Sequence, residues 1–360
     1  MLIIDAHLDL AWNALQWNRD LKRSVYTIRT QENTTAGKGR GQNTVALPEL
    51  RQGRVALCIA TLLARSTGRP VAHIDFADAV QSYGIAHGQL AYYRALEREG
   101  AIRILENLTA LDEHMAAWQS WEADATGQQP ALGFVISMEG ADPILSPEQL
   151  GEWQQAGLRL LGITHYGPGR YAGGTATELG LTALGPLLLQ EMERLGIVLD
   201  LTHCSDQAFW QALEHYKGPV IASHQNCRAL VPHQRQFSDA QIRAVIERGG
   251  VLGAAMDAWM LAPGWQISEW PNPQNPAVTL SNVIDQIDYV CQLAGNAQHA
   301  AIGSDLDGGF GREQSPGDLD TIADLQKIPA LLSARGYASS DIAAIMHGNW
   351  LRLLRRALAH

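Results

Sequence analysis

Leu2-Ile3-Ile4-Asp5-Ala6-His7-Leu8-Asp9 opens the chain with an apolar run that ends in a histidine and an aspartate two residues apart. The run reads as a buried strand over residues 2–6. His7 and Asp9 then stand at or just past its C-terminal end. Alternate residues of a strand share a face, so both side chains can address one point. An imidazole and a carboxylate aimed at one point suit a divalent cation such as zinc. One short His-x-Asp decides nothing alone; the rest of the chain has to supply partners for it.

Seven more apolar runs read as buried strands, over residues 55–61, 132–138, 158–164, 198–202, 220–223, 251–256 and 300–304. Helical periodicity lies between them. It covers residues 72–99, with Phe76, Val80, Ile85 and Leu90 on one stripe, and then 109–122, 147–155, 182–195, 205–215, 237–248 and 280–294. Ser238 suits the N-cap of the sixth of these. Helices over 319–334 and 339–358 close the chain. A long polar loop through Gly41 carries one expected helix near residues 10–21. Eight buried strands alternating with helices, with no strand-rich block set apart, predict an α/β protein: a (β/α)8 TIM barrel, a single domain over residues 1–360. A doubly wound open sheet is the alternative.

Composition narrows the functions. A net charge of −10 argues against a nucleic-acid or anionic-membrane partner, which calls for a basic patch. No stretch reaches the roughly 18 apolar residues of a membrane span. The first apolar run is short, carries three polar residues and has no basic leader, so no signal peptide is expected. Cys58, Cys204, Cys227 and Cys291 form no CxxC pair and read as buried free thiols. Cys204 directly follows His203, which leaves a thiol near the site open. A cytoplasmic location is the expectation.

The strand ends carry the chemistry. They present His7 and Asp9, then Glu139, His165, His203, His224 and Asp305. In a barrel these ends converge on one face. Two cations need about three protein ligands each with one shared. His7 and Asp9 suit one cation, His203 and His224 the other, and Glu139 can bridge them with its two oxygens. A hydroxide between the cations would be the nucleophile. Asp305 is left to carry the proton from that water to the leaving amine. His165 is left to hydrogen-bond the oxyanion. No Gly-x-Ser-x-Gly elbow is present, and no cysteine is paired with a base. A mononuclear deaminase would open with His-x-His.

His7-Leu-Asp9, Ser137-Met-Glu139-Gly-Ala-Asp142, Thr202-His203, Ser223-His224 and Gly303-Ser-Asp305-Leu-Asp307-Gly308 resemble the membrane (renal) dipeptidase family, including its soluble bacterial members. The resemblance covers essentially the whole chain. It implies a (β/α)8 barrel with two zinc ions, other divalent cations being possible, that hydrolyses dipeptides, often with a D-residue at the C-terminal position. It implies His7, Asp9 and Glu139 around one zinc, and His203, His224 and Glu139 around the other. It assigns the oxyanion contact to His165 and proton transfer to Asp305. Within Val231-Pro-His-Gln-Arg235 it implies Arg235 as the clasp for the substrate carboxylate, with Arg228 as the nearest competitor. His233 and Asp307 read as supporting residues. A homodimer is implied by the family alone.

The chain also departs from the family. Ala6-His7-Leu8-Asp9 stands where many members have Gly-His-Asn-Asp. The segment from Arg40-Gly-Gln-Asn-Thr-Val-Ala-Leu-Pro48 through Leu62-Leu-Ala-Arg65 resembles one bacterial branch only. The loop over 258–276, with Trp259, Trp265 and Trp270-Pro271, differs from the best-known members and could wall the substrate side chain. These differences keep two alternatives in view: a metal-dependent amidohydrolase acting on a small non-peptide amide or lactam, and a barrel that binds a metal or ligand without hydrolysis.

Overall fold

The computed structural model describes residues 1–124, 127–267 and 275–359. Its parallel strands are β1 (Ile3–Leu8), β2 (Val55–Leu63), β3 (Ile102–Ile104), β4 (Leu132–Glu139), β5 (Leu158–Gly162), β6 (Val198–Asp200), β7 (Val220–Ile221), β8 (Leu252–Ala254) and β9 (Ala300–Ile302). Pairing runs β7-β6-β5-β4-β2-β1-β9-β8. The ring is closed between β7 and β8: the Ala222 amide donates to the Val251 carbonyl at 3.0 Å, and the Gly253 amide donates to the Ala222 carbonyl at 2.8 Å. This is the eight-stranded barrel expected from the sequence. Every residue of β1, β2 and β4 is buried. Helices cover one face of these strands and side chains fill the other, so the runs are continuously apolar rather than alternating.

β3 was not among the eight expected strands. It pairs only with the N-terminal half of β4, Ile102 opposite Leu132 and Ile104 opposite Phe134, while β5 takes the C-terminal half. It fills a seam at the end of the barrel away from His7.

Several strands stop earlier than the apolar runs do. Carboxylates take over from the ladder at their ends. Asp200 Oδ1 accepts from the Thr202 and Ser223 amides at 3.0 Å each, and Asp5 Oδ1 accepts from the Ser304 amide at 2.9 Å. The chain can then turn and aim the following residues inward.

The helix at 280–294 has the expected bounds, with a Thr279–Asn282 capping box and Gly295 at φ 68° ending it. The one expected at 72–99 begins only at Ala79, because Asp78 caps it through the Gln81 amide. Residues 64–78 fold instead as a loop across the barrel mouth. The one expected near 10–21 ends at Gln16. Asn18 is left-handed there, and Arg19 turns inward to pair with Glu32 at 2.9 Å and 3.0 Å. The stretch at 339–358 is broken by a wider turn at Ala344–Gly348 between Ser339–Ala343 and Asn349–Ala357. Trp270 and Pro271 lie outside the described residues. All four cysteines are buried and free. Among the described residues no helix is long and apolar enough to cross a membrane.

Candidate metal centre

Glu139, the last residue of β4, stands at the middle of the barrel mouth. Its two oxygens face different partners. Oε1 lies 3.1 Å from His203 Nε2 and 3.3 Å from His224 Nε2, whereas Oε2 lies 3.5 Å from His7 Nε2. Asp9 Oδ2 is 3.8 Å from His7 Nε2. The ligand atoms fall into overlapping triads, His7–Asp9–Glu139 and Glu139–His203–His224, each spread over no more than 4.8 Å. A third triad joins His7 and His224 to Asp305. The geometry thus brings together all five residues read as metal ligands, with Asp305 beside them.

The donor set fits divalent cations. His7 Nε2 and Asp9 Oδ1 are buried with no hydrogen-bond partner. Such atoms are costly unless something coordinates them. His203 Nε2 and His224 Nε2 sit 3.1 Å apart, ring nitrogen against ring nitrogen. Their opposite nitrogens are engaged: His203 Nδ1 with Thr175 Oγ1 at 3.0 Å, and His224 Nδ1 with Ser223 Oγ at 3.0 Å. Hydrogen bonds at Nδ1 fix ring orientation and leave Nε2 as the metal-facing atom. His203 adopts this position with a left-handed backbone, φ 67°, which a non-glycine residue adopts only under constraint.

The electrostatics of His203 and His224 favour ligation. Burial, aided by the Arg235 charge, holds His203 well below the usual imidazole range. Burial, with His7, does the same to His224. Both rings are therefore neutral and able to ligate. Burial would lower His7 as well, but the Glu139 and Asp9 carboxylates outweigh it and raise it. Burial would raise Glu139, yet His165 and His7 keep it well below the carboxylate range. Burial pushes the Asp305 carboxyl well up, and the Glu139 and Asp9 charges add to that.

The other candidates sort by their partners. Arg235 is buried; it donates to Gln225 Oε1 at 2.6 Å and to the His224 carbonyl at 3.0 Å. Among the described residues it has no carboxylate partner, and it lines the same cavity as Glu139, His165 and Asp305. Arg228 instead forms a two-pronged pair with Asp206, at 2.9 Å and 2.6 Å, and does not line that cavity. Asp307 spends both oxygens on Thr44 and Val45, accepting from their amides at 2.8–2.9 Å and from the Thr44 hydroxyl at 2.9 Å. Asp305 is left free to face the cavity. His233 Nδ1 accepts from the Arg235 amide at 3.0 Å, and its ring meets Trp259 edge-on at 4.8 Å. Trp259 lines the cavity. Cys204 is buried beside His203, and burial pushes its thiol up.

The sequence profile of the membrane dipeptidase family (peptidase family M19) matches residues 1–359. The chain belongs to this family. Membership makes it a metal-dependent dipeptidase, a hydrolase of the metallopeptidase class. An uncharacterised protein from the pqqA 5′ region of Klebsiella pneumoniae is 30% identical over 74% of this dipeptidase and 94% of its own length. Dipeptidase 3 of Mus musculus is 27% identical over 72% of the chain, which spans 52% of the mouse protein. In fold, it superposes on a metallopeptidase from Rhodobacter sphaeroides liganded with a phosphinate mimic of L-Ala-D-Ala. The TM-score is 0.76 at 22% identity, covering 99% of each chain.

Some residues that shape this dipeptidase's site escaped the sequence reading. Thr175 comes from the Gly-rich loop at 166–178, and nothing in its local sequence marks it. Ser223 was visible only as the neighbour of His224. Arg65 donates to His165 Nδ1 at 3.2 Å from the loop after β2. Trp12 lines the cavity, its indole donating to the His73 carbonyl at 2.8 Å. Asp257 lines it too, held by the Trp259 indole and the Gln314 amide, both at 2.7 Å.

Proposed function

We propose that the chain is a binuclear zinc dipeptidase acting on small dipeptides, those of the L-Xaa-D-Xaa type among them. The observation that carries this reading is the division of Glu139: one oxygen toward His203 and His224, the other toward His7. His7, Asp9 and Glu139 would hold one ion; His203, His224 and Glu139 would hold the other. When bound, the ions would supply a water of lowered pKa and polarise the scissile carbonyl.

The remaining steps belong to the chain. Arg235 clasps the substrate's terminal carboxylate with a planar guanidinium that has no acid of its own. This places the scissile carbonyl under His165, whose Nε2 donates to the oxygen as negative charge grows on it. Asp305 takes the proton of the attacking water at its carboxylate and returns it to the nitrogen of the departing residue. Trp12, Tyr166 and Trp259 close the cavity walls and limit access of bulk water.

The reading extends to one barrel domain over residues 1–360, a homodimer and a cytoplasmic location. The four buried free thiols support the last of these. Light scattering at micromolar concentration tests the dimer. The deciding experiment is metal analysis followed by a panel of L-Xaa-L-Xaa and L-Xaa-D-Xaa dipeptides beside N-acyl amino acids and a lactam. Two zinc ions per chain and turnover of dipeptides are expected. Turnover of only the non-peptide amides would replace this reading with the amidohydrolase alternative.

A further inference from the structure

His165 can act as a donor to the developing oxyanion only if its cavity-facing nitrogen carries a proton. A neutral imidazole has one N–H, on either ring nitrogen, and the sequence does not say which. Here the other nitrogen, Nδ1, faces the guanidinium of Arg65, with Nη1 at 3.2 Å. Guanidinium has donors and no acceptor. Nδ1 must therefore accept, and the ring proton is forced onto Nε2, the atom on the Glu139 side at 3.8 Å from Oε1. A doubly protonated ring would set N–H against N–H at the Arg65 contact, so the same guanidinium opposes the imidazolium.

Arg65 is itself locked. Its Nε donates to Asp75 Oδ2 at 2.9 Å. Its backbone amide donates to the Ile74 carbonyl at 3.0 Å, and its carbonyl accepts from the Phe76 amide at 2.8 Å. Asp75 is buried and also accepts from the Thr67 amide at 3.0 Å and the Thr67 hydroxyl at 2.7 Å. The loop after β2, which carries Ile74 to the cavity, is thereby tied to the ring of His165 through one side chain.

We propose that Arg65 is a positioning residue that fixes His165 as the Nε2–H tautomer and so makes it an oxyanion donor. The proposal rests on the dipeptidase reading for its catalytic consequence, but its structural half stands without it. Arg65 touches neither the reacting atoms nor the metal ligands; it acts through His165.

The test has two arms. In the metal-free protein labelled with 15N-histidine, long-range proton–nitrogen correlation reads the tautomer of each ring near pH 8, and His165→Gln assigns the signal. The expected pattern is protonated Nε2 with bare Nδ1 in the parent, and a shift toward the other tautomer or a mixture in Arg65→Met. Arg65→Lys, which still offers only donors, should keep the parent pattern. In the zinc-loaded protein, Arg65→Met should lower kcat roughly 10- to 100-fold, part of the usual effect of losing an oxyanion donor. KM should stay within about threefold, and Arg65→Lys should recover much of the rate. Asp75→Asn, which loosens the loop and leaves the Arg65–His165 contact, should lower kcat less than Arg65→Met does.

A parent ring protonated on Nδ1 overturns the proposal, and so does an unchanged tautomer in Arg65→Met. Equal losses in Asp75→Asn and Arg65→Met, with the ring signal unmoved, assign the effect to the loop and overturn it as well. If Arg65→Met does not fold by circular dichroism, Arg65→Gln, whose amide is too short to reach the ring, takes its place with the same expected shift. If the parent hydrolyses no dipeptide, the proposed function fails while the tautomer arm still decides the Arg65 assignment.

Discussion

Two residues that line the cavity, Asp305 and Arg235, are expected to fail differently. Asp305 has a left-handed backbone, φ 57°, and Gly308 lacks the Cβ that would collide with its carboxylate. The polypeptide therefore bears local strain to place this group beside His7, 3.9 Å from its Nε2. Asp305→Asn keeps the size and loses the proton acceptor. It should retain both metals by plasma mass spectrometry while kcat drops roughly 10²- to 10⁴-fold, the range for a positioned acid–base group. Loss of one metal equivalent from the variant would instead make Asp305 a ligand, as its triad with His7 and His224 allows. Arg235→Ala should raise KM roughly 10- to 100-fold in steady-state kinetics, because a clasp remote from the scissile bond contributes chiefly to binding. Arg228→Ala should leave KM within about twofold, since its guanidinium is spent on Asp206. From the sequence these two arginines were nearly equivalent. What separates them is whether an acid from a distant helix reaches them, and no local pattern encodes that.

At the level of elements, legibility followed burial and capping. The eight barrel strands were readable because both of their faces are covered, which writes an uninterrupted apolar run. The helix at 280–294 was readable to its last residue because Thr279 and Gly295 mark its ends. β3 was missed because it is only Ile-Arg-Ile, with the arginine half-buried, and borrows its pairing from β4. The loops that complete the site were not readable at all. Their shape comes from side chains that meet across the fold, such as Arg65 with Asp75 and Arg19 with Glu32. Asp320 is another such tie. It accepts from Arg29 at 2.9 Å, Tyr26 at 2.9 Å and Arg312 at 2.7 Å, pinning the helix Val25–Gln31 to the segment after β9. Burial would raise its carboxyl, but Arg312, Arg29 and Tyr26 hold it down at about 2. The native value lies below the unfolded one, so the stabilisation is complete above about pH 4 and is lost as pH falls toward 2. Thermal melts of the parent and Asp320→Asn should therefore differ at pH 6 and converge as pH approaches 2.5. A constant difference would show that the carboxylate's charge is not what holds the helix.

On the scale of the whole molecule, the centre is assembled from ends that are far apart in the chain. β1 lies between β2 and β9: Asp5 is in register with Cys58 on one side and with Ile302 on the other. Deleting residues 1–9 should thus remove two of the proposed ligands and the strand that joins the halves of the ring. The truncated protein should retain no zinc after desalting and should show no cooperative thermal transition by calorimetry. A cooperative melt would mean that β2 and β9 can pair directly. The same placement of β1 bears on how the protein is made. A ribosome adding roughly 5–20 residues per second releases His7 and Asp9 first, then takes about 15–60 s to deliver the partner strand at residue 302. Throughout that interval β1, which leads to His7 and Asp9, has no neighbour on its β9 side. The closed ring around β1 therefore exists only once the strand at residue 302 has been made, so the first strand synthesised is among the last to be fully paired.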